Sequence, residues 1–303
     1  MKSESVRPMS SVCVIVVSYN FVPWIHRCLP SIEASLLPAT VMVIDNGSTD
    51  ETCRIIRDNY PGVELTETHR NLGFGKANNI GIQRALERGF DYVFLLNQDA
   101  WIEPDTLEKL VDAAEKNSQY GILSPVHLNG KGSATDFGFS KYTGIKNREE
   151  AMLLTDEVTP YPFINAAMWL IPLDVIRKTG GFAPIFVHYG EDRNWVLRMQ
   201  KKGYRLGLVK WAFGYHDREA RPVSRKKYFY SEYVYFLTEA VNPFYSLPKA
   251  MAYSFLAAVK KAGQALFSGK ITNCIAYFGI TLRLCVKCIA ILRTRRETRI
   301  TRK

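Results

Sequence analysis

The ordered pattern begins at Val12–Ser18, an unbroken β-branched apolar run, VCVIVVS, that stops at the polar pair Tyr19-Asn20. A run without alternation predicts a strand buried on both faces, as in a parallel sheet. Ile25, Cys28, Leu29 and Ile32 follow at i, i+3, i+4 and i+7, the spacing of one buried helix face. The cycle then repeats. Residues 41–44 read as a strand stopped by Asp45-Asn46-Gly47-Ser48-Thr49-Asp50, then a helix to about Asn59, ahead of Pro61. Ser48 or Thr49 stands where a helix cap is needed. Residues 63–68 form a shorter strand, and the Gly- and Asn-rich loop 70–81 feeds a helix to about Arg88. Residues 92–96 form a fourth strand, and Leu107, Leu110, Val111 and Ala114 stripe the helix after it. Strand and helix alternating with short turns predict an α/β fold with a doubly wound, mostly parallel sheet.

The second half is less regular. Residues 121–125, 164–171 and 205–210 read as strands, and 130–144 as a loop with four glycines. Pro172 and Gly180-Gly181 bracket a short helix, in the Pro-first, Gly-last arrangement. Glu191-Asp192 opens a helix that ends near Gly203, and an aromatic-rich helix is expected over 226–240. Pro243 and Pro248 mark a linker. Beyond them, apolar helical stretches alternate with Lys and Arg, and the longest uncharged run, 271–282, falls short of the roughly 20 residues a spanning helix needs.

Charge sharpens this division. The net charge of +11 comes from 40 basic and 29 acidic residues, yet residues 241–303 alone hold 12 Lys or Arg and one acid, Glu297. Residues 1–240 therefore carry 28 of each sign and are neutral. This argues against a basic nucleic-acid-binding surface and for a basic appendage. Two readings of the tail stay open: amphipathic helices lying in a membrane interface, or a helical pair packed on the body with its polar face wet. Of the six cysteines, those at 13, 28 and 53 fall in apolar patterns, and Cys285 and Cys288 are expected on one helix face. With a polar start and no secretory apolar segment, a reducing, cytoplasmic location follows.

The candidate chemistry lies at strand ends, because the carboxyl ends of parallel strands share one crevice. Asp45 ends the second strand, Asp99 follows the fourth in Asn97-Gln98-Asp99, and Glu191-Asp192 opens a late helix. There is no GxGxxG, since Asn78 stands where the third glycine belongs, and no Walker or GxSxG sequence. A sugar nucleotidyltransferase would place a Gly-rich, basic loop straight after the first strand, where this chain has SYNFVPW.

Six segments in order carry a resemblance: VIVVSYN (14–20), VIDNGSTDET (43–52), NLGFGKANNIGI (71–82), LLNQDAWIEPD (95–105), GGFAPIFVHYGEDRNWVLR (180–198) and YHD (215–217). Together they resemble the inverting family 2 glycosyltransferases of GT-A fold, in particular the rhamnosyltransferase-like enzymes of bacterial surface polysaccharides. The resemblance spans about residues 11–242. It implies a glycosyltransferase domain over 1–242, with a nucleotide-sugar-binding half over about 11–120 and an acceptor and catalytic half over 121–242. Residues 243–303 form the basic helical region.

By this resemblance Tyr19 packs on the nucleotide base, Asp45 accepts from the base edge, and Arg70 and Asn79 contact the donor. Asn97 hydrogen-bonds the ribose, while Asp99 and His216 hold a divalent cation, Mn²⁺ or Mg²⁺, on the diphosphate. Asp192, with Glu191 beside it, supplies the general base. The donor is a nucleoside-diphosphate sugar, the acceptor a glycan or lipid-linked glycan, and the tail holds the enzyme at the cytoplasmic membrane face. The chain departs from the family pattern at Asn97, where an acid is usual, at Phe182-Ala183-Pro184, and at Asn194-Trp195.

Overall fold

A computed structural model describes residues 10–218 and 224–300, with side chains to Glu297. It falls into two compact units that do not follow chain order. A sheet unit takes the chain to Leu72, Ala77–Arg177 and Arg205–Arg218; a helical unit takes Gly73–Lys76, Lys178–Tyr204 and the rest.

In the sheet unit, β1 (Val12–Ser18), α1 (Ile25–Glu33), β2 (Ala39–Asp45), α2 (Thr52–Asn59) and β3 (Glu64–Glu67) come first. Then follow α3 (Phe74–Arg88), β4 (Tyr92–Asn97), β5 (Ala100–Ile102), α4 (Thr106–Lys116) and β6 (Tyr120–Asn129). The unit closes with α5 (Phe137–Thr143), α6 (Arg148–Met152), β7 (Val158–Tyr161), β8 (Met168–Pro172), α7 (Leu173–Thr179) and β9 (Arg205–His216), the end of α7 passing into the helical unit. The strands form one sheet in the order β3-β2-β1-β4-β8-β6-β9-β5, with β7 also on β9. β3, β2, β1 and β4 run parallel, as do β6 and β9; β8 enters antiparallel between β4 and β6.

The unbroken apolar runs explain the middle of this sheet. Val14, Val16, Val43, Phe94 and Leu96 are buried with Ile25, Leu29, Leu107 and Leu110 from α1 and α4 in one core. Strand order reverses at β1, because the chain goes outward to β3 and then returns to the other side as β4. Such a switch point opens a crevice at the carboxyl ends of β1 and β4.

Several elements run differently from the sequence pattern: α5 lies inside the expected loop 130–144, β8 begins at Met168 and not at 164, and α2 starts behind Glu51 with no side-chain cap from Ser48 or Thr49. α3 begins at Phe74, inside the expected loop. β6 and β9 are longer than expected, with a register shift between Pro125 and Val126. Lys210 does not stop β9, because its ammonium is buried and donates to the Leu154 carbonyl.

The helical unit holds α8 (Glu191–Lys201), α9 (Arg225–Ala240), α10 (Leu247–Met251), a π-helical turn (Ala252–Leu256), α11 (Ala257–Phe267), α12 (Ile271–Val286) and α13 (Cys288–Ile300). Ile185 and Phe186 share one core with Phe236 and Leu237 of α9, Ala258 and Ala262 of α11, and Tyr277, Ile280 and Leu284 of α12. The Glu232 carboxylate receives both the Lys261 ammonium and the Tyr277 hydroxyl, the latter at 2.9 Å. Arg295 donates to the carbonyls of Ala240, Asn242 and Tyr245, closing the carboxyl end of α9 where orphan carbonyls and the dipole favour a cation. The tail helices are thus part of this unit's core. Arg299, Arg302 and Lys303 lie outside the described side chains.

One face of α12 stays uncovered: Ile271, Ile275, Phe278, Leu282 and Val286 are exposed and recur at three- and four-residue spacing. Cys285 and Cys288 are divided between α12 and α13, which correct the expected single helix face. Among the described residues no single helix is long and apolar enough to cross a membrane; α12 and α13 pass such a test only as a pair bent by 56°.

The two faces of α12 should respond differently. Leu284→Ala, in the core, should cost about 2–5 kcal/mol, whereas exposed Leu282→Ala should stay within about 0.5 kcal/mol. Urea unfolding of the full chain checks this.

Candidate active site

Strand register assembles the first cluster. Ser18 pairs with Asp45, and Val17 with both Ile44 and Asn97, so the ends of β1, β2 and β4 form one row. Asp45 is 2% exposed. One carboxylate oxygen accepts from the Ser18 hydroxyl at 2.9 Å and the Ser48 hydroxyl at 2.5 Å. The other accepts from the amides of Gly47 at 3.2 Å and Ser48 at 3.0 Å. Four donors fill the lone-pair positions of a carboxylate, so Asp45 also organises its own loop.

Tyr19 lies half exposed at the end of β1. Its amide donates to Gln98 Oε1 at 2.7 Å, and Gln98 Nε2 returns a bond to the Tyr19 carbonyl at 3.1 Å. This reciprocal pair ties the two strand ends at the switch point. Arg70 is exposed on the neighbouring loop. The Asn46 side chain accepts from the Leu72 amide at 2.8 Å and donates to Asn71 at 3.2 Å, holding that loop against the Asp45 turn. Gly47 is required there: its φ is +86°, and a Cβ would lie 2.9 Å from the Arg70 backbone. Asn79 is half-buried on α3.

The second cluster depends on β9. Ala100 of β5 pairs with His216, and the Asp217 amide donates to the Asp99 carbonyl at 2.7 Å. This sets His216 Nε2 3.3 Å from an Asp99 oxygen and 3.5 Å from Asn97 Nδ2. His216 is 2% exposed, and its Nδ1 lies 3.8 Å from Asp136. Asp136 is the residue that sequence reasoning missed. It caps α5 by accepting from the Phe139 amide at 2.9 Å, and both its oxygens receive Arg218 at 2.9 Å. Burial raises its carboxyl, but the Arg218 bonds and the charges of His216 and Arg218 outweigh that and hold it below the usual range. An Asp ahead of Phe137 is a cap signal that the surrounding glycines obscured.

Among the described residues no group of three or more His, Cys, Asp or Glu is placed to hold a metal ion. The chain brings together Asp99, His216 and the amide nitrogen of Asn97, and the Asn97 amide oxygen is buried without a hydrogen-bond partner. A carboxylate beside an imidazole, with an orphaned amide oxygen on the same residue that meets the imidazole, fits a cation that takes its remaining ligands from a diphosphate and water.

The third group belongs to the helical unit. Gly190, at φ +85°, precedes α8 and packs so closely on α9 that a Cβ would lie 2.7 Å from Val234. Glu191 and Asp192 therefore open α8 with nothing but amides ahead of them, where the dipole favours negative charge. Glu191 is buried with one oxygen unpartnered; burial first, and the Asp192 charge second, push its carboxyl up to about 7. Asp192 is half-buried and accepts from the Arg193 amide at 2.7 Å. Trp195 is core: fully buried, it donates to Thr179 at 3.1 Å and meets Phe182 edge-on.

Comparison with known proteins places the chain. The profile described as "Glycosyl transferase family 2" matches residues 13–174, more than half of it. The chain belongs to glycosyl transferase family 2.

This family 2 glycosyltransferase is 27% identical over 217 residues to the N-acetylglucosaminyl-diphospho-decaprenol L-rhamnosyltransferase of Mycobacterium tuberculosis, covering 63% of this chain and 71% of the relative. It is 25% identical over 205 residues to the dTDP-rhamnosyl transferase RfbF of Shigella flexneri, covering 66% and 67%. The mannosyltransferase PcManGT from Pyrobaculum calidifontis, solved with GDP-Man and Mn²⁺, shares the fold at TM-score 0.56 and 18% identity, over 91% of this chain and 88% of that one. S. aureus TarS 1–349 with UDP superimposes at TM-score 0.56 and 16% identity, over 84% and 72%. These likenesses agree with a GT-A type α/β fold.

In this glycosyltransferase Glu191 makes stability depend on pH. A carboxyl raised above its unfolded value stabilises fully below its ordinary range near 4.5, and that contribution is lost as pH rises through about 7. Relative to Glu191→Gln, the wild type should lose on the order of 3 kcal/mol across that window. Paired urea titrations at several pH values measure it.

Proposed function

We propose that this enzyme moves one sugar from a nucleoside-diphosphate sugar to a hydroxyl of a glycan or lipid-linked glycan, with inversion, in the assembly of cell-surface polysaccharide. The observation that carries the reading is the group Asp99, His216 and Asn97 beside the row that joins Asp45 and Tyr19 at the switch point. The names of the two rhamnosyl-transferring relatives support the donor and acceptor classes.

The base packs on Tyr19 and its edge takes the place of the Ser48 hydroxyl on Asp45. Asn97 meets the ribose, and Arg70 and Asn79 contact the donor. Asp99 and His216 would hold Mn²⁺ or Mg²⁺, which would supply charge neutralisation at the leaving diphosphate. Asp192 takes the proton of the acceptor hydroxyl as its oxygen bonds to the anomeric carbon. The carbon–oxygen bond to the diphosphate breaks, and its electron pair leaves with the nucleotide. Burial raises the Glu191 carboxyl to about 7, so the less buried Asp192 is the member of the pair assigned as the base.

A donor screen by thermal shift, with UDP-, GDP- and dTDP-sugars and with or without Mn²⁺, tests the first part. Asp99→Ala should lose the increment that Mn²⁺ adds. Asp192→Asn should retain donor binding and lose roughly 10²–10⁴-fold in transfer rate, the usual worth of a positioned base. Equal rates for Asp192→Asn and wild type would remove Asp192 from this role.

Attachment to the cytoplasmic membrane face is part of the same proposal, supported by the uncovered stripe of α12 flanked by Lys270 and Arg283. The double substitution Phe278→Glu and Leu282→Glu should abolish co-sedimentation with phosphatidylglycerol vesicles while donor binding persists. Retained sedimentation would show that the stripe is not the contact.

A further inference from the structure

The helical unit contains a cavity of about 580 Å³ between α9, α12 and the turn before α8. This volume lies within the roughly 300–1,000 Å³ common for small-ligand sites. Phe229, Tyr230, Ala276 and Ile280 make its apolar walls, and Lys226, Lys227 and Arg283 stand at its rim. Among the described residues no carboxylate lines it, and none forms an ion pair with these three cations. An apolar chamber with a cationic mouth matches an amphiphile with an anionic head.

Its position narrows the ligand. His188 and Tyr189 form part of its wall, and one residue, Gly190, separates them from Glu191 and Asp192. Tyr230 reaches across to donate to the His188 carbonyl at 2.8 Å. Tyr189 has φ +65° and Gly190 +85°, so consecutive left-handed residues turn the chain sharply from the cavity wall into α8. The wall of the chamber at Tyr189 is therefore three residues along the chain from Asp192, the carboxylate proposed to take the acceptor's proton.

We propose that this cavity is the acceptor-lipid site: its walls take the first isoprenoid units of a lipid diphosphate, and Lys226, Lys227 and Arg283 take the diphosphate. The sugar carried on that diphosphate then extends toward Asp192. This rests on the glycosyl-transfer reading, and it names the acceptor as a diphosphate-linked isoprenoid rather than a free glycan.

Gly279 offers a clean probe. It lies in the cavity wall, and a Cβ there meets nothing within 4 Å, so Gly279→Leu fills the chamber without displacing the core. The replacement also favours the helix. Binding of farnesyl diphosphate to the full chain in detergent, followed by calorimetry without any donor, is the readout. Gly279→Leu and Arg283→Gln should each weaken it about tenfold or more. Inorganic diphosphate and farnesol alone should each bind far more weakly than farnesyl diphosphate. Phosphatidylglycerol vesicle binding should be unchanged in Gly279→Leu. Equal affinity in Gly279→Leu and wild type overturns the proposal. So does loss of vesicle binding in Gly279→Leu with no preference for the isoprenoid, which would make the cavity a phospholipid headgroup site. Because the measurement needs no sugar nucleotide, it stands or falls separately from the donor screen.

Discussion

The pairing of β9 with its neighbours is the constraint on which the Asp99–His216 cluster depends. Ala100 and Asn129 both register on His216, from opposite sides of one strand. His216 is thereby fixed beside Asp99, and the bond from the Asp217 amide to the Asp99 carbonyl locks the match. Because side chains alternate along a strand, a slip of one residue would turn His216 away from Asp99 and bring Tyr215 or Asp217 into its place. The bulge between Pro125 and Val126 adjusts this register, so an irregularity in a core strand tunes the position of an imidazole.

Electrostatics then complete what register begins. Asp136 and Arg218 form a two-bond pair behind His216, so the imidazole is bracketed by carboxylates, Asp99 before it and Asp136 behind. His216 Nδ1 lies 3.8 Å from Asp136 and makes no hydrogen bond, so Asp136 acts on the imidazole through its charge. In the helical unit, environment separates two adjacent acids: Glu191 is enclosed and resists ionising, while Asp192 is only half-buried. Adjacent carboxylates with opposed preferences are a frequent way to divide donor and acceptor roles.

How much of this was legible depended on range. The strands β1, β2 and β4 announce themselves because each is a local apolar run, and their polar ends bring Tyr19, Asp45 and Asn97 with them. The resemblance to family 2 singled out His216, but its distance from Asp99 depends on a pairing across more than a hundred residues, which no local pattern encodes. Asp136 was hidden for a related reason. Its importance comes from two partners, His216 and Arg218, that only the folded chain supplies. Lys210 broke the apolar pattern of β9 and so shortened the expected strand, although its ammonium finds the Leu154 carbonyl and the Trp211 ring. The tail was ambiguous because an amphipathic helix reads alike whether its apolar side meets protein or lipid. The structure assigns one side of α12 to the core and leaves the other uncovered.

That shared core has a geometric consequence. The segment 183–186, α9 and the tail helices pack as one body, and Gly190 seats the start of α8 against Val234 of the same body. The outward stripe of α12 and the carboxylate of Asp192 are therefore two marks on a single rigid rule. Whatever surface the stripe rests upon, the elevation of Asp192 above it is set by interior packing and not by a flexible tether. A larger or smaller side chain at Ile280 or Leu284 would change that elevation without touching either end of the rule.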